Sequence, residues 1–157
     1  KEHFVAIEDE LNFIDLYVEM EQMRFSDKFD YIKDVADFHS MHIQIPSMIL
    51  QPFFENAIRH GRIGQLEKRG RLYFEVKEDE DYMYFKILDN GVGLKKASEY
   101  KNLGDEDHKS MALDIIKNRI DIYEQSYKII IDYSIKEYIG DDDFSTQVLI
   151  RVKKDGL

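Results

Sequence analysis

Two stretches with strand character, residues 71–77 and 82–88, are separated by only Glu78, Asp79, Glu80 and Asp81. That spacing limits the fold more than any other feature of the chain. Four residues close an antiparallel hairpin, whereas a parallel connection needs a dozen or more. The sheet built around this hairpin is therefore predicted to be mixed or largely antiparallel. Its apolar face must be covered, and the segments on either side of the hairpin supply the helices to do it.

The first helix is predicted over residues 8–24, where Leu11, Ile14, Val18 and, beyond, Phe25 recur at helical spacing and Phe13, Leu16, Tyr17 and Met20 widen the stripe. Glu10, Asp15, Glu19 and Glu21 fall on the opposite face. So wide a stripe predicts a helix covered on more than one side, by its own domain or by a partner protein. A half-buried strand is expected from Phe29 to Val35, then a short extended piece, Ile43, Gln44 and Ile45, ahead of Pro46. Ser47 is placed to cap a second helix running to His60, with Pro52 in or bending its early turns and Gly61 and Gly64 ending it. After the hairpin, residues 94–109 are polar and weakly patterned and lead to a third helix over residues 110–124. Residues 128–134 and 144–152 close the chain as strands. This order gives an α/β fold, a two-layer sandwich whose mixed sheet has helices on one face. No P-loop or dinucleotide-binding glycine fingerprint occurs.

A chain of 157 residues, 43% hydrophobic and 34% charged, has the size and composition of one globular domain that needs no disulfide or structural metal. It has no cysteine, and His3, His39, His42, His60 and His108 are not spaced as zinc ligands. The formal charge of -10 argues against a nucleic-acid partner. Asp141, Asp142 and Asp143 read as a solvated turn. No apolar run is long enough to span a membrane, and no export signal opens the chain. Because it begins at Lys1 without an initiator methionine, it is expected to be a piece of a longer protein.

Two polar clusters remain. The first runs Glu55-Asn56-Ala57-Ile58-Arg59-His60-Gly61, and helical spacing puts Asn56 and His60 on one side with Glu55 and Arg59 on the adjacent strip. The second, Asp89-Asn90-Gly91-Val92-Gly93, lies where an apolar strand meets a turn whose glycines allow close backbone approach. Taken singly, the first reads equally well as an exposed helix face and the second as an ordinary turn.

In this order the pair resembles the asparagine box and first glycine box of the ATPase fold shared by histidine kinases, heat-shock-protein-90 chaperones, type II topoisomerases and mismatch-repair ATPases, the Bergerat type. Arg24-Phe25-Ser26-Asp27-Lys28-Phe29 after an acidic helix, and Pro46 to Gly61, are most similar to the LytS/YehU-like group of bacterial two-component kinases. The resemblance covers about residues 4–152. It implies a connecting helix over residues 1–25 and a histidine kinase-like ATP-binding domain over residues 26–157. It implies ATP and Mg²⁺ as cofactors, with Asn56 holding the metal, Glu55 as the catalytic carboxylate near the γ-phosphate, and Arg59 or His60 offsetting phosphate charge. Asp89 would accept the adenine amino group, and Gly91 and Gly93 would let base and lid approach.

The resemblance further implies a cytoplasmic domain of a membrane-anchored bacterial sensor and a homodimeric parent. Its partners would be a helical module carrying the phosphoacceptor histidine and a downstream response regulator. No histidine here sits in such a module, so the isolated chain is not expected to phosphorylate itself. The lid departs from the pattern. Where relatives carry Gly-x-Gly-Leu-x-Asn, this chain has Ser110-Met111-Ala112-Leu113-Asp114-Ile115, although Leu113 and Arg119 match. Ser110 as a helix cap and Lys109 as a phosphate-side charge would compensate. The alternative is a degenerate ATPase-fold module with weak or no turnover, acting in interaction or regulation.

Overall fold

The computed structural model describes residues 3–35, 42–94, 106–140 and 142–154, and within residues 106–113 the backbone alone. The strands are β1 (Phe4–Ala6), β2 (Phe29–Asp34), β3 (Gln44–Pro46), β4 (Gly70–Glu78), β5 (Tyr82–Asp89), β6 (Ile131–Glu137) and β7 (Thr146–Lys153). The helices are α1 (Ile7–Arg24), α2 (Gln51–Glu55), which continues into a π-helical turn at Asn56–His60, and α3 (Glu106–Tyr127).

β4 and β5 form the predicted hairpin, registering Leu72 with Asp89 and Glu78 with Met83. Asp79 closes its turn, accepting the N–H groups of Asp81 at 2.8 Å and Tyr82 at 2.7 Å. Around this hairpin the five-stranded sheet runs β2-β4-β5-β7-β6. β2 and β4 are parallel, so the chain between them must cross the sheet, and α2 lies in that crossover. β5 and β6 are each antiparallel to β7 and hence parallel to one another, with α3 in the connection. Mixed polarity thus puts two helices where the sheet needs cover.

Strand alternation sends one set of side chains inward: Leu72, Phe74 and Val76, Met83, Phe85 and Ile87, Val148, Ile150 and Val152 are all buried. They share one core with Ile7, Leu11, Ile14 and Val18 of α1, Phe53 and Phe54 of α2, and Ile116 and Ile120 of α3. Tyr73, Glu75, Tyr84 and Lys86 occupy the other face and are half-buried. The result is the two-layer sandwich that the sequence predicts.

Three expectations are corrected. The second helix starts at Gln51 with Leu50 as its N-cap, so Ser47 does not cap it, and Pro52 sits in the first turn where no hydrogen bond is lost. α3 begins at Glu106, so Ser110 lies a turn inside the helix and is not its cap. β6 begins three residues later than predicted, and the segment Phe4–Ala6, unassigned from sequence, pairs with β3. The widened stripe of α1 also divides. Its domain covers one side only, leaving Phe13, Leu16, Met20 and Met23 exposed on the other.

Glu10 and Glu21, placed on the polar face by periodicity, are buried. Leu50 has no side chain able to cap α2, and Glu10 of α1 does this from outside. It accepts the N–H of Ile49 at 3.1 Å, with those of Met48 and Leu50 also directed to it. Arg119 of α3 stands beside it and donates to the Met48 carbonyl at 3.1 Å. Burial pushes the Glu10 carboxyl above its ordinary range, opposed by those N–H groups and by Arg119.

Glu10→Ala leaves buried donors unpartnered and is expected to cost about 1–3 kcal/mol, read as a lower urea midpoint at unchanged slope. The folded state binds the Glu10 proton more tightly than the unfolded state, whose value is the ordinary 4.5. Relative to Glu10→Gln, the native protein therefore gains stability as pH falls from above the raised value to below the ordinary one. It loses that margin as pH rises back through the window. Urea titrations of both proteins across the window measure the difference.

Candidate functional site

α2 is short because the chain leaves α-geometry at Asn56. The N–H of Gly61 donates to the carbonyl of Asn56, five residues back, at 3.2 Å. Such wide turns cluster at functional sites. Apolar residues seat the turn: Ala57 and Ile58 are buried, as are Phe53 and Phe54 just before it. Asn56 is carried inward with them and is only 7% exposed. Its Oδ1 is buried without a hydrogen-bond partner.

The two polar clusters meet through backbone. The N–H of Val92 donates to the carbonyl of Gly61 at 2.9 Å. A Cβ on Gly91 would stand 2.1 Å from that same carbonyl oxygen, and one on Gly61 would stand 2.2 Å from the Ala57 carbonyl and 3.0 Å from Asp89 Oδ1. Glycine at 91 lets the end of β5 lie against the end of the π-turn, and glycine at 61 lets that turn close over the Ala57 carbonyl. Gly93 has φ +81°, a left-handed conformation that favours glycine.

Asp89 is 3% exposed at the end of β5, and its Oδ1 accepts the N–H of Gly91 at 2.9 Å. Ser145 fixes the turn from the far side: its N–H donates to the Asp89 carbonyl at 2.8 Å and its hydroxyl to the Gly91 carbonyl at 2.8 Å. Asn90 turns the other way and ties the hairpin down, accepting the N–H of Arg71 at 2.6 Å and donating to the Arg69 carbonyl at 3.0 Å. It also donates to Asp143 at 3.3 Å. Lys68, at 2.8 Å, together with Asn90 holds the Asp143 carboxyl below its ordinary range. Asp143 is thus a tether as well as part of a polar turn, while Asp142 is exposed and Asp141 lies outside the described residues.

Of the predicted site residues, Asn56, His60, Asp89 and Gly93 line one cleft with Gly61, Leu94 and Thr146. Gly91 shapes it from behind. In this form it encloses about 10 Å³, room for a single water. Two larger clefts, of about 420 and 630 Å³, flank α3 and contain none of the predicted polar set. Glu55 and Arg59 do not line the cleft. Glu55 accepts Gln51 Nε2 at 3.1 Å, and Arg59 lies 3.8 Å from Glu21 of α1. Lys109 and Ser110 belong to the backbone of α3, but their side chains are outside the described residues, as are residues 95–105 altogether.

Sequence reasoning missed Ser145 and Thr146. Thr146 is buried directly across the β5–β7 register from Asp89. Only the strand pairing brings it there, and no local motif marks it.

No family model matches the chain. A sensor-like histidine kinase of Staphylococcus epidermidis is 32% identical over 92 residues, 59% of this chain and 17% of that protein. The sensor protein kinase HptS of Staphylococcus aureus is 32% identical over 96 residues, covering 60% and 18%. The matched region thus spans under a fifth of either relative. Among solved structures, the catalytic domain of histidine kinase ThkA superposes with a TM-score of 0.60 at 10% identity, covering 96% of this chain and 94% of that one. The chain has the fold of histidine-kinase ATPase domains. Its two-layer mixed sandwich is the Bergerat ATPase fold, and within it the two polar clusters lie at adjoining ends of the π-turn and β5. Among the described residues no helix is long and apolar enough to cross a membrane.

Because the ATPase-fold cleft depends on backbone contact between the boxes, Gly91→Ala is expected to destabilise the domain by about 1–3 kcal/mol or more. An unchanged melting temperature would contradict the contact.

Proposed function

We propose that this domain binds Mg-ATP and passes the γ-phosphate to a histidine on an adjoining helical module of the same protein. The observation that carries the reading is the Asn56 side-chain oxygen, buried without a partner beside the buried Asp89 carboxylate. A lone buried acceptor at the edge of a cleft fits a hard divalent cation, which takes neutral oxygen ligands and is completed by nucleotide phosphates and water. Magnesium, when bound, would offset the negative charge of the phosphates.

The chain's own residues divide the remaining work. Asp89, held in place by the Gly91 N–H, accepts from the adenine amino group, and Thr146 across the register shares that wall. Asn56 supplies the metal's protein oxygen. His60 lines the phosphate end, with Arg59, Lys109 and Ser110 as further phosphate-side groups. Glu55 is the carboxylate that aligns or polarises the incoming histidine. Phosphoryl transfer of this kind asks for alignment and charge compensation more than covalent help.

On this reading residues 1–25 connect the phosphoacceptor module to the ATP-binding domain of residues 26–157. The parent is a homodimeric, membrane-anchored sensor of the LytS/YehU-like kind, with its kinase domain in the cytoplasm and a response regulator downstream. The non-glycine lid sequence Ser110-Met111-Ala112 favours a second reading, a nucleotide-binding module with little or no turnover.

Calorimetric titration with a non-hydrolysable ATP analogue separates these outcomes from no site at all. Native protein is expected to bind in a magnesium-dependent manner, Asp89→Asn to weaken binding about 10- to 100-fold, and Asn56→Ala to lose the magnesium dependence. No binding at millimolar nucleotide would sink both readings.

A further inference from the structure

The interface between α1 and α2 holds a polar group that the cleft does not use. Tyr17 and Glu21 stand one turn apart on α1, and Gln51, Glu55 and Arg59 stand one turn apart from one another along α2 and the π-turn. Gln51 Nε2 donates to Glu55 at 3.1 Å. Glu21 Oε1 lies 3.8 Å from Arg59 and 3.7 Å from Arg24. The charges of Glu21, Glu55 and Arg59 all act on the Tyr17 hydroxyl, which burial, followed by the two carboxylates, pushes far above its ordinary range.

Four described buried side-chain atoms lack a close hydrogen-bond partner, and three of them are here: the Tyr17 hydroxyl, towards which the Arg59 guanidinium is directed, Glu21 Oε2 and Gln51 Oε1. The fourth is Asn56 Oδ1, the next residue after Glu55. A core that merely needed filling would place apolar side chains at Tyr17 and Glu21, since unsatisfied buried polar atoms are costly and rare. Their concentration around the one carboxylate that the proposed reaction requires gives them a purpose. Arg59 is held on the α1 side by two groups of that helix, the Glu21 carboxylate at 3.8 Å and the Tyr17 hydroxyl towards which it is directed, while Glu55, on the same strip of α2, acts on that hydroxyl through its charge.

We propose that Tyr17 and Glu21 are positioning residues: from α1 they set the placement of Glu55 and Arg59, so that displacement of α1 along α2 changes phosphoryl transfer while nucleotide affinity stays as it is. The inference rests on the reading of Glu55 as the carboxylate near the γ-phosphate. Geometry separates the two functions. The cleft that contains Asn56 and Asp89 does not include Glu55, Arg59 or any residue of α1. Whatever moves α1 therefore reaches Glu55 and Arg59, at the outer edge of the phosphate side, before it reaches Asn56, His60 and Asp89, which line the cleft.

The test uses Tyr17→Phe and Glu21→Gln, each alone and combined with Glu55→Gln, in the longer protein that carries the phosphoacceptor module. Single substitutions are expected to lower the transfer rate about 5-fold or more while the dissociation constant for Mg-ATP stays within about two-fold, and to have no further effect once Glu55 is Gln. Equal losses in both backgrounds, or loss of affinity in proportion to rate, would overturn the proposal in favour of a structural role. A second readout needs no turnover. With ¹³C-labelled glutamate, the Glu55 carboxyl signal in this chain, assigned by its absence in Glu55→Gln, is expected to shift in Tyr17→Phe and in Glu21→Gln. An unmoved signal would overturn the coupling itself. A moved signal in a protein without transfer activity would instead count against the kinase reading and leave the coupling standing.

Discussion

The contact between Gly61 and Gly91 is the constraint on which the rest of this molecule depends. One glycine ends the π-turn after α2 and the other follows β5; Gly91 is bare because the backbone of Gly61 occupies the space a Cβ would take, and Gly61 because the Ala57 carbonyl and the Asp89 carboxylate stand in its own. A single hydrogen bond from Val92 to Gly61 fixes the approach. From this contact the cleft follows. Asp89 and Asn56 come from distant parts of the chain, on a hairpin strand and a crossover helix, and they become neighbours because the two backbones touch. Ser145 locks the glycine turn from β7's side, and Asn90 anchors it to β4, so the polar site is built on strand ends whose positions the sheet dictates.

α1 has a different relation to the fold. It contributes four aliphatic side chains to the core, yet its energetic signature is polar: Glu10 caps a helix that cannot cap itself, and Glu21 and Tyr17 stay buried with polar atoms unsatisfied. The first arrangement offsets much of the cost of burial, because the carboxylate accepts several backbone donors beside the Arg119 cation. The second does not, and the imbalance lies against the helix that carries Glu55 and Asn56. Stability and responsiveness are thereby assigned to different turns of one helix.

The parts legible in the sequence were those set by local chemistry. Residues 71–77 and 82–88 announced a hairpin because alternation and a four-residue acidic turn admit little else, and the structure extends each strand by only one or two residues. Asn56 and Asp89 were legible as two motifs. The π-turn was not, because its cause is tertiary: Gly61 must reach Gly91, and an α-turn would end elsewhere. The burial of Glu10 and Glu21 is not legible because helical periodicity records only that a face is polar, not that the N–H groups ahead of α2 meet Glu10 there or that Arg59 meets Glu21. Thr146 depended on register, which no single strand reveals. Ser110 was read as a cap from its residue type alone, and the helix passes through it.

The central claim is that the two boxes form one nucleotide site around the Gly61–Gly91 contact. The most direct measurement is backbone amide chemical-shift mapping of the isotopically labelled domain, titrated with magnesium and a non-hydrolysable ATP analogue. Saturating shifts confined to the residues around Asn56, His60, Gly61, Asp89 to Gly93 and Thr146, with one dissociation constant for both boxes, are the predicted result. Shifts centred on the clefts beside α3, or separate constants for the two boxes, would contradict it.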